Sequence, residues 1–110
     1  MDNLLLIAKK YFSYFSNKEI ELLKTLFSNK INLRDWDINI SGIDNVVQQN
    51  IKIFKNLGEF QLKVINLYQS DNVVFGEIEI ILKNKEIIKV LDKIVFDEES
   101  KIKEIIAFKG

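Results

Sequence analysis

The sequence contains no cysteine, no histidine and no proline among its 110 residues. Without cysteine the chain forms no disulfides, thiolate nucleophiles or cysteine-ligated metal sites. Without histidine it lacks the commonest general base and transition-metal ligand. These absences exclude zinc chemistry and Ser-His-Asp or Cys-His catalysis within this chain. Acid–base chemistry here must therefore use Asp, Glu, Tyr or Lys.

Two further absences limit the partners. No GxxxxGK[ST] or GxGxxG motif is present, so nucleotide binding has no support, and we expect no cofactor. Lys and Arg (16) balance Asp and Glu (16), so no net charge draws the chain to nucleic acid or to an anionic membrane. The sequence begins with an acidic Asp2 and a very short apolar run, unlike a secretory signal or a membrane span. We therefore expect a cytoplasmic protein.

What remains is an ordinary globular composition, with 47% hydrophobic and 29% charged residues. No linker, repeat or low-complexity run interrupts it, so we expect a single domain over residues 1–110. Hydrophobic periodicity predicts the element order α-α-β-α-β-β-β-β. The predicted helices span 3–15, 16–27 and 41–57, and the predicted strands span 30–37, 60–69, 73–82, 86–97 and 101–109.

Polar residues predict where the helices begin and end. Ser16 and Glu19 form a capping-box pattern before the second helix, and Ser41 with Asp44 repeats that pattern before the third. Gly58 is expected to end the third helix in the left-handed αL conformation.

The element order predicts an α+β fold: a mostly antiparallel, curved sheet with three helices packed on its concave side. Such a sheet forms a cone with an interior, and Gly76 in mid-strand is consistent with a kink or bulge that helps to bend it. The outer face of the sheet is half apolar, which predicts a homodimer. The apolar residues assigned to it are Ile65, Leu67, Phe75, Ile81, Ile87, Leu91 and Val95.

Asp92 is the most unusual residue of the predicted strands. Because alternate side chains share a face, it lies among apolar neighbours while Lys89 and Lys93 point the other way. Burying an ionised carboxylate is costly, so Asp92 must be neutral, paired or beside a cavity.

Other polar residues interrupt apolar stripes. The predicted inward stripe of the first helix is Leu4, Ala8, Tyr11, Phe12 and Phe15. Tyr11 on this stripe is either a core aromatic with a backbone partner or has its hydroxyl in a pocket. The predicted inward stripe of the third helix is Ile43, Val46, Val47, Asn50, Ile51, Phe54 and Leu57. Asn50 interrupts this stripe, so its amide either bonds backbone or lines a cavity. Asp35 and Asp37 form either a polar strand end or, beside Trp36, a partly dry base.

Several of these segments resemble a known family. They are Tyr11, the run 18–27, Leu33-Arg34-Asp35, the helix start at Ser41-Gly42, and the strand 90–97 with Lys101-Ile102 and Ala107-Phe108 after it. Together with the element order, they resemble the cone-shaped domain of nuclear transport factor 2, SnoaL-like polyketide cyclases and ketosteroid isomerases. The resemblance runs from residue 8 to residue 108.

This resemblance implies a catalytic set of Tyr11, Asp35 and Asp92. Asp35 would move a proton alpha to a carbonyl, while Tyr11 and a neutral Asp92 donate hydrogen bonds to the enolate oxygen. The sequence departs from the family at Trp36, where proline usually follows the base, and at Phe27, which stands where a supporting tyrosine is common.

The expected ligand is a small, mainly apolar carbonyl compound, with no metal. We expect a ligand pocket lined by Trp36, Asn50, Phe54 and Asn66. Three functional hypotheses follow: an enolate-type isomerase or cyclase, a non-catalytic module binding a small ligand, and a dimerising or protein-binding domain with a filled interior. In the last case Tyr11 and Asp92 would bond each other in the core.

Overall fold

The structure is a computed structural model that describes residues 3–110. Within this range lie three helices and six strands. No helix in it is long and apolar enough to cross a membrane. In chain order the elements are α1 (Leu4–Ser16), α2 (Ile20–Leu26), β1 (Phe27–Arg34), β2 (Asn39–Ser41), α3 (Ile43–Leu57), β3 (Phe60–Ser70), β4 (Val73–Leu82), β5 (Ile87–Phe96) and β6 (Ile102–Lys109).

All six strands form one mixed sheet in the order β2-β1-β6-β5-β4-β3. Neighbouring strands are antiparallel except β1 and β6, which are parallel. Helix α1 contacts β3 and β4, and α3 contacts β1 and β2, so the two long helices cover the two halves of the sheet. The sheet does not close, and the predicted α+β cone is confirmed.

Helix α1 forms where its apolar residues repeat at helical spacing. The Oδ1 atom of Asn3 accepts a hydrogen bond from the Leu6 N–H at 3.2 Å, which caps the first turn. The buried residues are those of the predicted stripe: Leu4, Ala8, Tyr11, Phe12 and Phe15. Tyr11 therefore lies in the interior.

The predicted capping box at Ser16 is wrong. Ser16 is the last residue of α1, and the chain turns at Lys18, whose φ of 57° lies in the left-handed region. Helix α2 therefore begins after Glu19, without a side-chain cap. It is also shorter than predicted, because Phe27 already belongs to β1.

The predicted capping role of Ser41 is also wrong, because this residue lies in β2, a strand that the sequence did not reveal. Its hydroxyl donates to Asn32 Oδ1 on β1 at 2.6 Å instead of capping α3. The residue before α3 is Gly42, whose φ of 93° suits glycine. Gly58 has the expected positive φ, 64°, but its ψ of −139° is outside the αL region.

A bulge in β3 reverses the expected faces of its second half. Val64 pairs with Ile78, but the next pair is Asn66 with Glu77, so Ile65 is an extra residue. After the bulge, Leu67 packs against the core while Asn66 points outward. The assignments of Asn66 to the interior and of Leu67 to the outer face are therefore wrong.

Gly76 makes regular pairs with Leu67 on β3 and with Asp92 on β5, so it is not itself the bulge. Its lack of a side chain permits close packing instead: an added Cβ would lie 2.5 Å from the Cζ atom of Phe12. The ring of Phe12 thus occupies the space above this glycine.

Candidate functional site

The interior of the cone contains a cavity of about 390 Å³ between α1, α3 and the concave face of the sheet. The interior is therefore not filled, contrary to the hypothesis of a dimerising or protein-binding domain with a filled interior. The apolar part of its wall consists of Phe12, Phe15, Leu33, Ile38, Ile53, Leu57, Leu62, Ile78, Ile80, Ile88, Val90, Ile105 and Ala107. The other residues that line it are Tyr11, Asp35, Trp36, Asp37, Gln49, Asn50, Asn56 and Asp92.

Asp92 lies on the cavity wall in the middle of β5. The alternation of this strand is as predicted, with Val90, Asp92 and Ile94 buried and Lys89 and Leu91 exposed. The Asp92 side chain is only 6% exposed, and its carboxyl has no hydrogen bond to a side chain or backbone group of residues 3–110. Burial raises the pKa of this carboxyl to about 7.

Tyr11 reaches the same cavity from α1. Its ring is surrounded by three phenylalanines, with centroids 5.2 Å from Phe12, 6.1 Å from Phe15 and 6.4 Å from Phe27. Burial and, secondly, the neighbouring Asp92 carboxylate raise the pKa of the Tyr11 hydroxyl well above its usual value. No hydrogen bond joins the two side chains, so the predicted alternative of a Tyr11–Asp92 core pair is not seen in the described part of the chain.

Asn50 on α3 is also deeply buried, at 3% exposure. Among residues 3–110, no fully enclosed side-chain nitrogen or oxygen lacks a hydrogen-bond partner. The polar atoms of Asn50 and Asp92, which bond no other residue in that range, must therefore border open space, and the cavity that both residues line is that space. Of the two alternatives for Asn50, the structure shows the cavity.

Asp35 lies in the short loop between β1 and β2, at the partly exposed end of the cavity, which we call the mouth. Its Oδ1 atom accepts hydrogen bonds from the N–H groups of Asp37 at 2.7 Å and Ile38 at 2.8 Å. Its own N–H donates to the Ile38 carbonyl at 3.0 Å. Oδ1 thus stabilises the loop through two hydrogen bonds, and Oδ2 has no hydrogen-bond partner within residues 3–110.

Trp36 also borders the mouth and is 48% exposed. The Nζ atom of Lys109, the last residue of β6, lies 5.5 Å from the centroid of its ring. At this distance an ammonium is attracted to the electron-rich face of an indole. Trp36 therefore borders the entrance of the cavity with the Lys109 ammonium over its ring.

Two of the predicted pocket residues do not line the cavity. Phe54 turns away from it and packs against Phe15, at a centroid distance of 4.8 Å, and against Phe60, at 6.3 Å. Asn66 is on the outer surface because of the bulge, and its side-chain amide lies 3.4 Å from the Glu77 carboxyl. Tyr11, Asp35, Trp36, Asn50 and Asp92 do share the cavity.

Sequence reasoning missed the polar residues Gln49 and Asn56 on α3. They lie seven positions apart, about two helical turns, with Ile53 between them on the same face. This second stripe is displaced by one position from the predicted one, which contains Asn50 and Phe54. The displacement also explains why Ile51, predicted to face inward, is exposed.

The cavity combines two kinds of polar group. Deep inside, a protonated Asp92 and Tyr11 can each donate a hydrogen bond. At the mouth, Asp35 presents a free carboxylate oxygen that can accept a proton. In the described part of the chain, no group of three or more acidic residues is placed to hold a metal ion.

No family model and no curated protein matches this sequence. Among solved structures, it is similar to a candidate ketosteroid isomerase from Kribbella flavida, with a TM-score of 0.87 and 16% identity over 97% of this chain and 77% of that one. A candidate isomerase of the SnoaL-like family from Agrobacterium tumefaciens has a TM-score of 0.85 and 12% identity, covering 96% of each chain. A candidate SnoaL-like polyketide cyclase from Shewanella putrefaciens has a TM-score of 0.83 and 14% identity over 99% of this chain and 80% of that one.

These similarities show the fold. It is the cone that the SnoaL-like and ketosteroid isomerase-like structures share. The fold hosts many unrelated activities, so the activity must be argued from the cavity.

Proposed function

We propose, from the fold that this chain shares with SnoaL-like and ketosteroid isomerase-like proteins, that its cavity binds a small, mainly apolar carbonyl compound and catalyses its proton transfer through an enolate. The reaction class is an isomerisation or a cyclisation, and the proposed location is the cytoplasm. The observation that carries the proposal is the Asp92 carboxyl, buried on the cavity wall with a pKa of about 7. A carboxyl in this state can donate a hydrogen bond at neutral pH.

The deep end of the cavity would hold the carbonyl oxygen of the ligand. Protonated Asp92 and the Tyr11 hydroxyl would both donate hydrogen bonds to it. Because the pKa of Tyr11 is raised well above its usual value, this hydroxyl keeps its proton at neutral pH. Such donors in a dry site stabilise an enolate oxygen more than the ground-state carbonyl, which lowers the barrier to its formation.

Asp35 would be the base. Its Oδ2 atom would take the proton from the carbon next to the carbonyl, and the C–H electron pair would move into the enolate. The same carboxyl would then return the proton to another carbon, so the step needs no oxidant or cofactor. The two backbone N–H groups on Oδ1 would fix the carboxylate in position during both transfers.

A test that does not depend on knowing the substrate is deuterium exchange. Cyclic β,γ-unsaturated ketones are incubated with the protein in D₂O, and NMR follows both loss of the alpha protons and appearance of the conjugated isomer. Asp35→Asn is the matched variant, because its Oδ1 can still accept the two loop hydrogen bonds. Tyr11→Phe and Asp92→Leu each remove one donor.

We expect the wild-type protein to accelerate exchange above the buffer rate, and Asp35→Asn to slow it by about 10²-fold or more. Loss of either deep donor is expected to cost about 10²–10³-fold. Exchange that is equally fast with Asp35→Asn would contradict the assigned base. Absence of exchange with every ketone, despite binding, would contradict catalysis.

A second candidate function is ligand binding without catalysis. It is favoured by one observation: the Asp35 carboxyl already stabilises the loop between β1 and β2 by accepting two hydrogen bonds at Oδ1. On this alternative, ketones bind and Asp35→Asn leaves their affinity unchanged. Calorimetric titration that shows ketone binding to both proteins, together with deuterium exchange no faster than in buffer, would favour this candidate over catalysis.

We also propose that a second copy of the chain covers the outer face of the sheet. This face presents large apolar side chains, among them Leu91, which is 37% exposed, and Phe108, which is 50% exposed. Glu77 on β4 and Lys89 on β5 lie beside them, and neither belongs to an ion pair within residues 3–110. A two-fold axis between the copies would bring the acidic strand of one onto the basic strand of the other.

Light scattering during gel filtration tests this proposal at micromolar concentration. We expect a dimer for the wild type and a monomer for Leu91→Glu. Leu22→Glu is the control, because Leu22 is similarly exposed but lies on α2. A wild-type monomer would overturn the dimer proposal without affecting the cavity.

A further inference from the structure

The ionisable groups of the cavity wall are tyrosine and acids alone. The acids are Asp35, Asp37 and Asp92, and none of the 16 Lys and Arg residues of the chain lines the cavity. Carboxylate- and phosphate-bearing ligands need a basic residue or an array of backbone N–H groups to offset their charge on burial. An anionic ligand is therefore poorly matched to this wall.

The acids are arranged by depth. Asp92 lies at the buried end, with the unpartnered amide of Asn50 on the same wall. At the mouth, Asp37 is exposed, and its carboxyl has no hydrogen bond or ion pair within residues 3–110. It follows Trp36, whose indole ring is half exposed. The deep end is thus fitted to an uncharged polar group, and the mouth to a cation.

The mouth already attracts a cation from the chain itself. Lys109 Nζ lies 5.5 Å from the Trp36 ring centroid, although Lys109 does not line the cavity. A ligand ammonium placed between this ring and the free Asp37 carboxylate would make the same cation–π contact and add a charge-assisted hydrogen bond. Lys109 would then compete with the ligand, since both are ammonium groups.

We infer that the occupant of the cavity is an apolar amine, with its ammonium held at the mouth by Asp37 and Trp36 and its uncharged end beside Asp92 and Tyr11. This inference rests on the proposed use of the cavity as a binding site, but not on the proposed proton transfer. It narrows the ligand class to apolar compounds that carry an amine, such as amino ketones.

Three probes with the same hydrocarbon cage test the inference: adamantanamine, adamantanol and adamantanecarboxylate. Their affinities are measured by calorimetric titration at neutral pH, where the amine is protonated and the acid is ionised. We expect the amine to bind about tenfold more tightly than the alcohol, and the carboxylate to bind most weakly. Asp37→Asn is expected to weaken the amine about three- to tenfold while leaving the alcohol unchanged.

Lys109→Met is expected to change the affinity for the amine in the opposite direction. Removing the competing ammonium should strengthen binding of the amine and leave that of the alcohol unchanged. Both residues are exposed, so both variants are expected to fold, which circular dichroism checks.

The inference is overturned if the carboxylate binds as tightly as the amine, if Asp37→Asn weakens the alcohol as much as the amine, or if none of the three probes binds. The deuterium-exchange assay uses neutral ketones, so its outcome is separate. Amine selectivity without exchange would support this inference and reject the proposed chemistry. Exchange without amine selectivity would support the proposed chemistry and reject this inference.

Discussion

Gly76 and Asp92 are cross-strand partners on β4 and β5, and the ring of Phe12 fills the space that a side chain at Gly76 would occupy. Directly opposed residues of an antiparallel pair lie about 5 Å apart. The ring therefore packs over β4 next to the strand position of Asp92, and both residues line the cavity. The glycine thereby contributes to the environment of Asp92 without contacting a ligand.

The first prediction concerns this packing. Gly76→Ala should lower the free energy of unfolding by about 1–3 kcal/mol, because the new methyl group overlaps the Phe12 ring. In a Phe12→Leu background the same substitution should cost less, since the ring is gone. Urea denaturation of the four proteins gives the coupling energy. An equal cost in both backgrounds would show that the ring is not the obstacle.

The second prediction is a pH dependence of stability. The pKa of Asp92 is about 7 in the folded protein, against an ordinary value of 3.8 for an aspartate carboxyl. Between these two pH values the unfolded chain releases a proton that the folded chain retains, so the free energy of unfolding should fall as pH rises from about 4 to 7. The shift corresponds to a loss of up to about 4 kcal/mol, with little further change from this group at higher pH.

Urea denaturation at several pH values checks this dependence. The Asn side chain in Asp92→Asn has a similar shape but does not titrate. The free energy of unfolding of this variant should therefore lack the part of the pH dependence that Asp92 causes. Asp35→Asn is the control, and it should retain this pH dependence. A wild-type protein whose stability rises over this range, with no difference from Asp92→Asn, would contradict the raised pKa.

The third prediction separates the structural role of Asp35 from a chemical one. Asp35→Ala removes the acceptor of the Asp37 and Ile38 N–H groups, so the free energy of unfolding should fall by about 1–2 kcal/mol. Asp35→Asn keeps an acceptor oxygen and should cost less. Thermal unfolding of the two variants measures the difference, and equal losses would indicate that the loop does not depend on these hydrogen bonds.

The fourth prediction uses Trp36, the sole tryptophan of the chain, as a reporter. Because its ring is 48% exposed at the mouth, a ligand entering the cavity should shift its fluorescence to shorter wavelength in a saturable way. The dissociation constant from this titration should equal the calorimetric value. A calorimetric signal without any fluorescence change would indicate binding elsewhere.

Much of the fold could be predicted because most elements have one clearly buried face. The five inward residues of α1 and the alternation around Asp92 on β5 follow from period alone, and β4 was predicted with its observed bounds. The choice of Tyr11 and Asp92 as neighbours came from the family resemblance. Their shared cavity depends on tertiary packing that no local pattern records.

The errors have local physical causes. Ser16 and Ser41 fit capping patterns, but Ser16 continues α1 and Ser41 pairs in β2, and each of these alternatives satisfies its backbone groups equally well. The three-residue β2 is too short to show a period. Ile65 adds one residue to β3 without any signature in the sequence, which inverted the expected orientation of Asn66.

The bulge at Ile65 also makes the curvature of β3 independent of its residue pairing with β4, two properties that are usually linked in a strand. Because this residue is extra, a chain lacking it could keep the pairs on either side, Val64 with Ile78 and Asn66 with Glu77. Bulges bend and twist the strand that carries them, so such a deletion would straighten β3 while each wall residue stayed opposite its present neighbour. The curvature of the cone, and with it the room inside, can thus evolve by length change at one position without altering the chemistry of the wall.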